Sequence, residues 1–257
     1  MNKKILSILL ILSIALTLQS AYKTNQYMKV VEVKGRVKIS SQKAIVKPAQ
    51  NGDLLFSKDN ISTEQNSSLT SYLESNNIFK VKESSSLNID ESYDKTGNTK
   101  LSLDNGNFII ASSSNAKPNS ITVSTSNANI TVNGAAVISY SNGNTKAQFL
   151  YGSGNVNGTN INQFTEVNID NSNKLTLKNI EMNTELTNTI SEIVSMPYIE
   201  TIVPDISNIS SYYNNYNTVS EETNQSGEID IDYVGNTNET INTNENRTTL
   251  IITNQTK

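Results

Sequence analysis

Residues 51–77 read NGDLLFSKDNISTEQNSSLTSYLESNN. The stretch holds four carboxylates, of which Asp53, Asp59 and Glu64 are clustered and Glu74 stands near its end. Calcium takes six to eight oxygen ligands, so the acids raise a metal site as one reading. A calcium loop needs the convergent spacing D-x-[DN]-x-[DN]-G. Here Asp53 is followed by Leu54-Leu55-Phe56, which breaks that spacing. The other reading is architectural. Asn51-Gly52-Asp53 and Asp59-Asn60 are turn formers, whose side chains bond nearby backbone amides. Between and after them lie the short apolar segments Leu54–Phe56 and Leu69–Leu73, with Ile61 alone between them. The stretch predicts short strands that fold back on one another, with Asp53 bonding turn amides and Asp59 opening a turn.

The same punctuation continues on both sides. Strands are predicted at Met28–Val33, Val37–Ile39, Ala44–Lys47, Leu54–Phe56, Leu69–Leu73, Ile78–Val81 and Leu87–Ile89. Further strands are predicted at Lys100–Leu103, Phe108–Ala111, Ile121–Thr125, Asn129–Val132, Ala136–Tyr140, Ala147–Tyr151, Thr165–Ile169 and Leu175–Leu177. Leu87-Asn88-Ile89, Leu101-Ser102-Leu103, Ile121-Thr122-Val123 and Leu175-Thr176-Leu177 alternate apolar with polar residues, which places the apolar ones on one face. Asn-Gly pairs stand at 51–52, 105–106, 133–134, 142–143 and 157–158. Asn and Gly tolerate the positive φ of tight hairpins. Asp104-Asn105-Gly106-Asn107 is read as the clearest hairpin. Many short strands with closely spaced turns predict an all-β fold over residues 27–178, a β-sandwich or a solenoid-like β-roll.

Helical spacing first appears near Asn179. Met182, Leu186, Ile190, Ile193 and Val194 share one face, and Pro197 ends the run. One amphipathic helix is predicted over 179–196, packed on the β body as a cap; a partner-binding helix is the alternative. From Asp205 the chain turns to Asn, Thr, Ser and Glu and carries a net charge of −6. Such a segment buries too little to offset its ordering entropy, so 205–257 is predicted to be a disordered acidic tail. Within it, Thr248–Ile252 is a short β-prone run suited to a sheet edge. Tyr212, Tyr213 and Tyr216 form an aromatic cluster that could stack on a partner.

At the front, Asn2-Lys3-Lys4 precede an apolar run from Ile5 to Leu18 and then Gln19-Ser20-Ala21. A charged start, a short apolar run and small residues after it form the pattern of a secretory signal, assigned to residues 1–21. The run is short for a membrane span of about 20 residues. An uncleaved N-terminal anchor is the alternative. Both predict an exported protein, periplasmic, secreted or on the cell surface. Membrane contact is expected only through this segment.

The chain contains no Cys, His or Trp. That excludes disulfides, Cys- and His-based triads and zinc fingers within the chain. The net charge of −4 speaks against a nucleic-acid partner, which needs a cationic face. Asp90, Glu91 and Asp94 raise a glycan-cleaving pair, which needs carboxylates about 5–9.5 Å apart across a cleft. They fall in a stretch read as a solvated loop, Asp90 to Asn98. Gly152-Ser153-Gly154-Asn155-Val156-Asn157-Gly158 lacks the Lys-Ser/Thr and the helix of a phosphate-binding loop and is read as a hairpin or loop. No catalytic, metal or cofactor site is assigned, and no enzyme activity is expected.

These segments together resemble the FecR domain. The resemblance runs through Val33-Lys34-Gly35-Arg36-Val37, then Asn51-Gly52-Asp53-Leu54-Leu55, Asp59-Asn60-Ile61-Ser62-Thr63 and Asn66-Ser67-Ser68-Leu69. It continues with Ser84-Ser85-Ser86-Leu87-Asn88-Ile89, Leu101-Ser102-Leu103-Asp104-Asn105-Gly106 and the run Ile121–Gly134, and covers about residues 28–155. The family's G-T-F is replaced by Gly134-Ala135-Ala136-Val137. The founding members are iron-transport regulators with a cytoplasmic anti-sigma segment, a membrane span and this domain outside. Only four residues precede the apolar run here, so the direct anti-sigma role is not expected to carry over. What the resemblance implies is an extracytoplasmic β module that binds or scaffolds an envelope protein or polysaccharide. Signalling through a separate membrane or sigma-regulatory partner is the first alternative, and a carbohydrate-active enzyme the second.

Overall fold

The computed structural model describes residues 27–42, 45–73, 77–92, 98–113, 121–181, 183–203, 206 and 209. The signal segment 1–21, Met182, Asp94, the Tyr212–Tyr216 cluster, Thr248–Ile252 and nearly all of the acidic tail lie outside the described residues.

The fold is all-β. The strands are β1 (Met28–Lys34), β2 (Val37–Ser40), β3 (Val46–Pro48), β4 (Leu54–Leu55), β5 (Asn60–Thr63), β6 (Ser68–Leu73), β7 (Asn77–Val81) and β8 (Ser86–Glu91). They continue as β9 (Thr99–Ser112), β10 (Ile121–Ser124), β11 (Asn129–Ser141), β12 (Asn144–Val156), β13 (Thr159–Asn162), β14 (Thr165–Ile169) and β15 (Leu175–Asn179). Two helices follow, α1 (Thr184–Val194) and α2 (Ile199–Ile202).

All these strands join in one hydrogen-bonded network that does not close. It is laid out as two layers that share three long strands. The first half of β9 lies between β8 and β10, and its second half between β7 and β11. β11 and β12 cross from layer to layer in the same way. Apolar residues of both layers meet in one core. Ile61, Leu87, Leu101 and Ile130 enter from one side, and Leu69, Phe79, Phe108 and Phe149 from the other. Phe79 and Phe108 pack ring to ring at 5.7 Å between centroids.

The crossings correct the hairpin expected at Asp104–Asn107. The chain does not reverse there, and Leu101–Leu103 and Phe108–Ala111 belong to one strand. Each half finds better partners in a different layer than in the other half. Gly106 makes the bend at φ 100°, with the backbone of Ser85 pressed against it. Asn133-Gly134 is likewise inside β11 and not a turn. Asn142-Gly143 and Asn157-Gly158 are the tight turns expected, with φ of 51° and 77° in the first and 50° and 88° in the second. β5 and β13 appear where no strand was expected, because each buries only one large apolar residue, Ile61 and Ile161.

The outer face of the second layer is also apolar. Ile78, Ile109, Ala111 and Ala135 are fully buried yet stand apart from the central core. Cross-strand register makes them one patch, with Ala111 opposite both Ile78 and Ala135. The helices cover it and bury Leu186, Ile190, Ile193, Met196 and Ile199. The cap reading of the helix therefore holds. The helix starts at Thr184 and not at Asn179, because Asn179 ends β15 and Asn183 supplies the cap. Its Oδ1 accepts a hydrogen bond from the Leu186 amide at 2.9 Å.

One asparagine ties three loops together. Asn127 donates to the carbonyls of Gly143 at 2.8 Å and Asp170 at 2.9 Å, while its Oδ1 accepts from Thr145 at 2.5 Å. Asn127→Ala leaves two carbonyls and a buried hydroxyl without this partner. The expected loss is about 2–3 kcal/mol, read from urea unfolding. Asn127→Asp, which keeps the acceptor and removes the donors, should fall short of wild type by a comparable amount.

Candidate interaction surface

The acids of the opening stretch do not converge. Asp53 accepts from Lys47 Nζ at 2.6 Å and from the Gln50 amide at 2.9 Å. Burial pushes its carboxyl up, but the bonds from Lys47 and Gln50 outweigh that and hold it below the usual range. Asp59 Oδ2 accepts from the Phe56 amide at 2.9 Å, so Asp59 closes the turn through Ser57-Lys58 and does not open one, and Asn60 already begins β5. Glu64 pairs with Arg36 at 3.1 Å and Lys38 at 3.4 Å. Each acid thus has its own partners, and the stretch is structural.

Asp90 and Glu91 are placed in β8, which corrects the loop expected there. They are anchored by separate partners of the neighbouring strand. Asp90 accepts from the Ser102 hydroxyl, and Glu91 pairs with Lys100 at 2.8 Å. The glycine-rich stretch 152–158 ends β12 and turns into β13, a hairpin as read.

Two carboxylates are more deeply engaged. Glu192 of α1 bridges Lys80 at 2.8 Å and Lys82 at 2.7 Å of β7. Burial raises its pKa, and hydrogen bonds and charge from the two lysines lower it further than burial raises it. Lys80 is buried under the helix, which accounts for a lysine in a strand with no exposed residue. Glu166 on β14 accepts from Gln148 and Asn168, both at 2.8 Å, and pairs with Lys178 at 3.2 Å. Burial again pushes upward, and the donors Asn168, Gln148 and Lys178 prevail and lower its pKa. Both sites fasten elements together. Among the described residues, no group of three or more acids is placed to hold a metal ion.

The surfaces left to meet a partner are sheet edges and shallow grooves. β3 and β15 are each hydrogen-bonded to one neighbour only. They differ as edges. In β3, Ser41 donates to the Ile45 carbonyl and Ala49 to that of Val37, so the alternate residues Val46 and Pro48 face outward. Pro48 has no N–H to offer, so this edge is blunted. In β15, Asp170 donates to Lys174 and Ile180 to Phe164, which turns the N–H and C=O groups of Leu175, Leu177 and Asn179 outward. No proline interrupts them, and the Leu177 side chain is 49% exposed. The sequence pattern alone expected Leu177 on a covered face; its place at the edge leaves it open.

One groove of about 440 Å³ is lined mainly by polar residues and lies where β9 changes layer. A second, of about 570 Å³, is bordered by Tyr72 and Tyr198, whose rings stand 6.3 Å apart.

Comparison with known proteins adds the following. No curated protein matches this sequence. Two crystal structures of a candidate anti-sigma factor from Parabacteroides distasonis are similar at 11% identity, with TM-scores of 0.43 and 0.41. The matches cover 52% and 53% of this chain, and 64% and 73% of those chains. The chain therefore spans less than two thirds of the first of them. The FecR family model, described as FecR protein, matches residues 59–157, which run from the turn before β5 to the turn after β12. Residues 59–157 of this chain are a FecR domain.

Proposed function

We propose that this chain is an exported regulatory binding module that recognises an envelope protein by adding a strand of that partner to the edge of β15. The FecR domain supports a regulatory role. The charged start and apolar run at residues 2–18 support export. The observation that carries the mode of recognition is the edge itself. β15 offers outward backbone groups at Leu175, Leu177 and Asn179, an exposed leucine among them and no proline guard. Strand addition uses such groups for affinity and alternate side chains for specificity.

A photocrosslinking amino acid at position 177 tests this in intact cells. The expected product is a single heterologous protein, absent when the same group is placed at Val46 on the blunted edge. Equal yields from both positions, or a product containing only a second copy of this chain, would overturn the reading.

A further inference from the structure

We infer that the groove at the bend of β9 binds a neutral sugar unit of a polysaccharide. The inference uses residues remote in sequence from β15 and does not rest on strand addition there.

The groove is lined by Gln65, Glu83, Asn105, Asn107, Ser139 and Tyr140, among others. Its volume of about 440 Å³ falls within the span of small-molecule sites. Gly106 borders it, and a side chain there would collide with Ser85.

Two amides of the lining are oriented with one end left over. Asn105 Nδ2 donates to the Ser84 carbonyl at 3.0 Å, which leaves its Oδ1 as an acceptor. Asn107 Oδ1 accepts from the Ser139 hydroxyl at 2.6 Å, which leaves its Nδ2 as a donor. The two flank Gly106 and border the same groove. A fixed acceptor beside a fixed donor matches adjacent hydroxyls, each of which donates and accepts.

Tyr140 anchors the strand behind the groove. Its ring packs against the core, and its hydroxyl shares a hydrogen bond of 2.6 Å with Ser126. The ring is thus held at its body and its tip on the core face of β11, beside Ile138, and fixes the strand behind Ser139 and Asn107. Glu83 is the one charged side chain in the lining, and no lysine or arginine accompanies it. That arrangement disfavours acidic glycans and selects uncharged ones.

The test is titration of the isotope-labelled protein with maltohexaose, cellohexaose, xylohexaose and chitohexaose at millimolar concentration, followed by NMR. At least one should give saturable shifts in the Gly106 amide and the Asn105 and Asn107 carboxamides. Asn107→Asp keeps the acceptor for Ser139 and removes the free donor, so it should weaken binding about tenfold. No shift with any of the four sugars overturns the inference. So do shifts that map elsewhere, or an affinity unchanged in Asn107→Asp.

Discussion

Gly106→Ala should cost about 3–5 kcal/mol of stability. Two penalties add at this position. The backbone sits at φ 100°, which side-chain-bearing residues rarely adopt. The new Cβ would also lie 2.5 Å from Ser85 Cβ and 2.6 Å from Ser85 Cα, with Ser85 Oγ closer still. Ser85 cannot retreat freely, because its hydroxyl accepts from the Asn107 amide and donates to the Glu83 carbonyl. Gly52→Ala separates the two penalties. Gly52 has φ 90° but nothing within 4 Å of a built Cβ, so it bears the backbone strain alone. Its expected loss is about 1–2 kcal/mol. Urea unfolding of both variants checks the difference. Equal losses would mean that Ser85 gives way and that the bend of β9 is not close-packed.

Glu192→Ala should cost about 3 kcal/mol, because it strands Lys80 in a buried site without its counter-charge. The Lys80 side chain is 9% exposed, and both lysines reach the same carboxylate. The loss should appear as weakened docking of α1, seen as faster amide exchange at Ile78 and Ile109 under the helix. The double variant Lys80→Met with Glu192→Leu should recover most of the stability, since a packed apolar pair replaces the buried ions at little net cost. The pH dependence follows from the sign of the shift. The folded pKa of Glu192 lies below the ordinary value of 4.5. Its contribution is therefore complete above the unfolded value and is lost as pH falls through the folded one. Wild type should lose stability as pH falls below the ordinary carboxylate value of 4.5 toward the lower folded one, and Glu192→Ala should lose less over the same descent. Identical pH profiles would contradict the bridge.

Much of this architecture is legible in the sequence because strands carry a period of two. Leu87, Ile89, Leu101 and Leu103 alternate with polar residues, and all four are core residues. The turns at Asn142-Gly143 and Asn157-Gly158 are legible for the same local reason. The continuity of β9 and β11 is not. Asn105-Gly106 and Asn133-Gly134 are spelled like turns, and what keeps them extended is pairing with strands distant in sequence. Gly134 lies opposite Gly152 in the register, a tertiary match that no local reading finds. The role of Lys80 is hidden likewise, since its partner is 112 residues away in the next layer. The carboxylates of 51–77 attract notice as ligands and prove to be turn and surface groups. The surfaces proposed for binding are carried by backbone direction at β15 and by the orientation of Asn105 and Asn107, which one-letter spelling does not encode.

Whether a protein partner is held through the edge of β15 is decided by Leu177→Pro. Position 177 is an outward-facing position of an edge strand, where proline is tolerated because no ladder bond is lost. The expected result is a folded variant with stability within about 1 kcal/mol of wild type that no longer co-purifies the partner crosslinked from position 177. A folded Leu177→Pro protein that retains that partner at wild-type yield would contradict it.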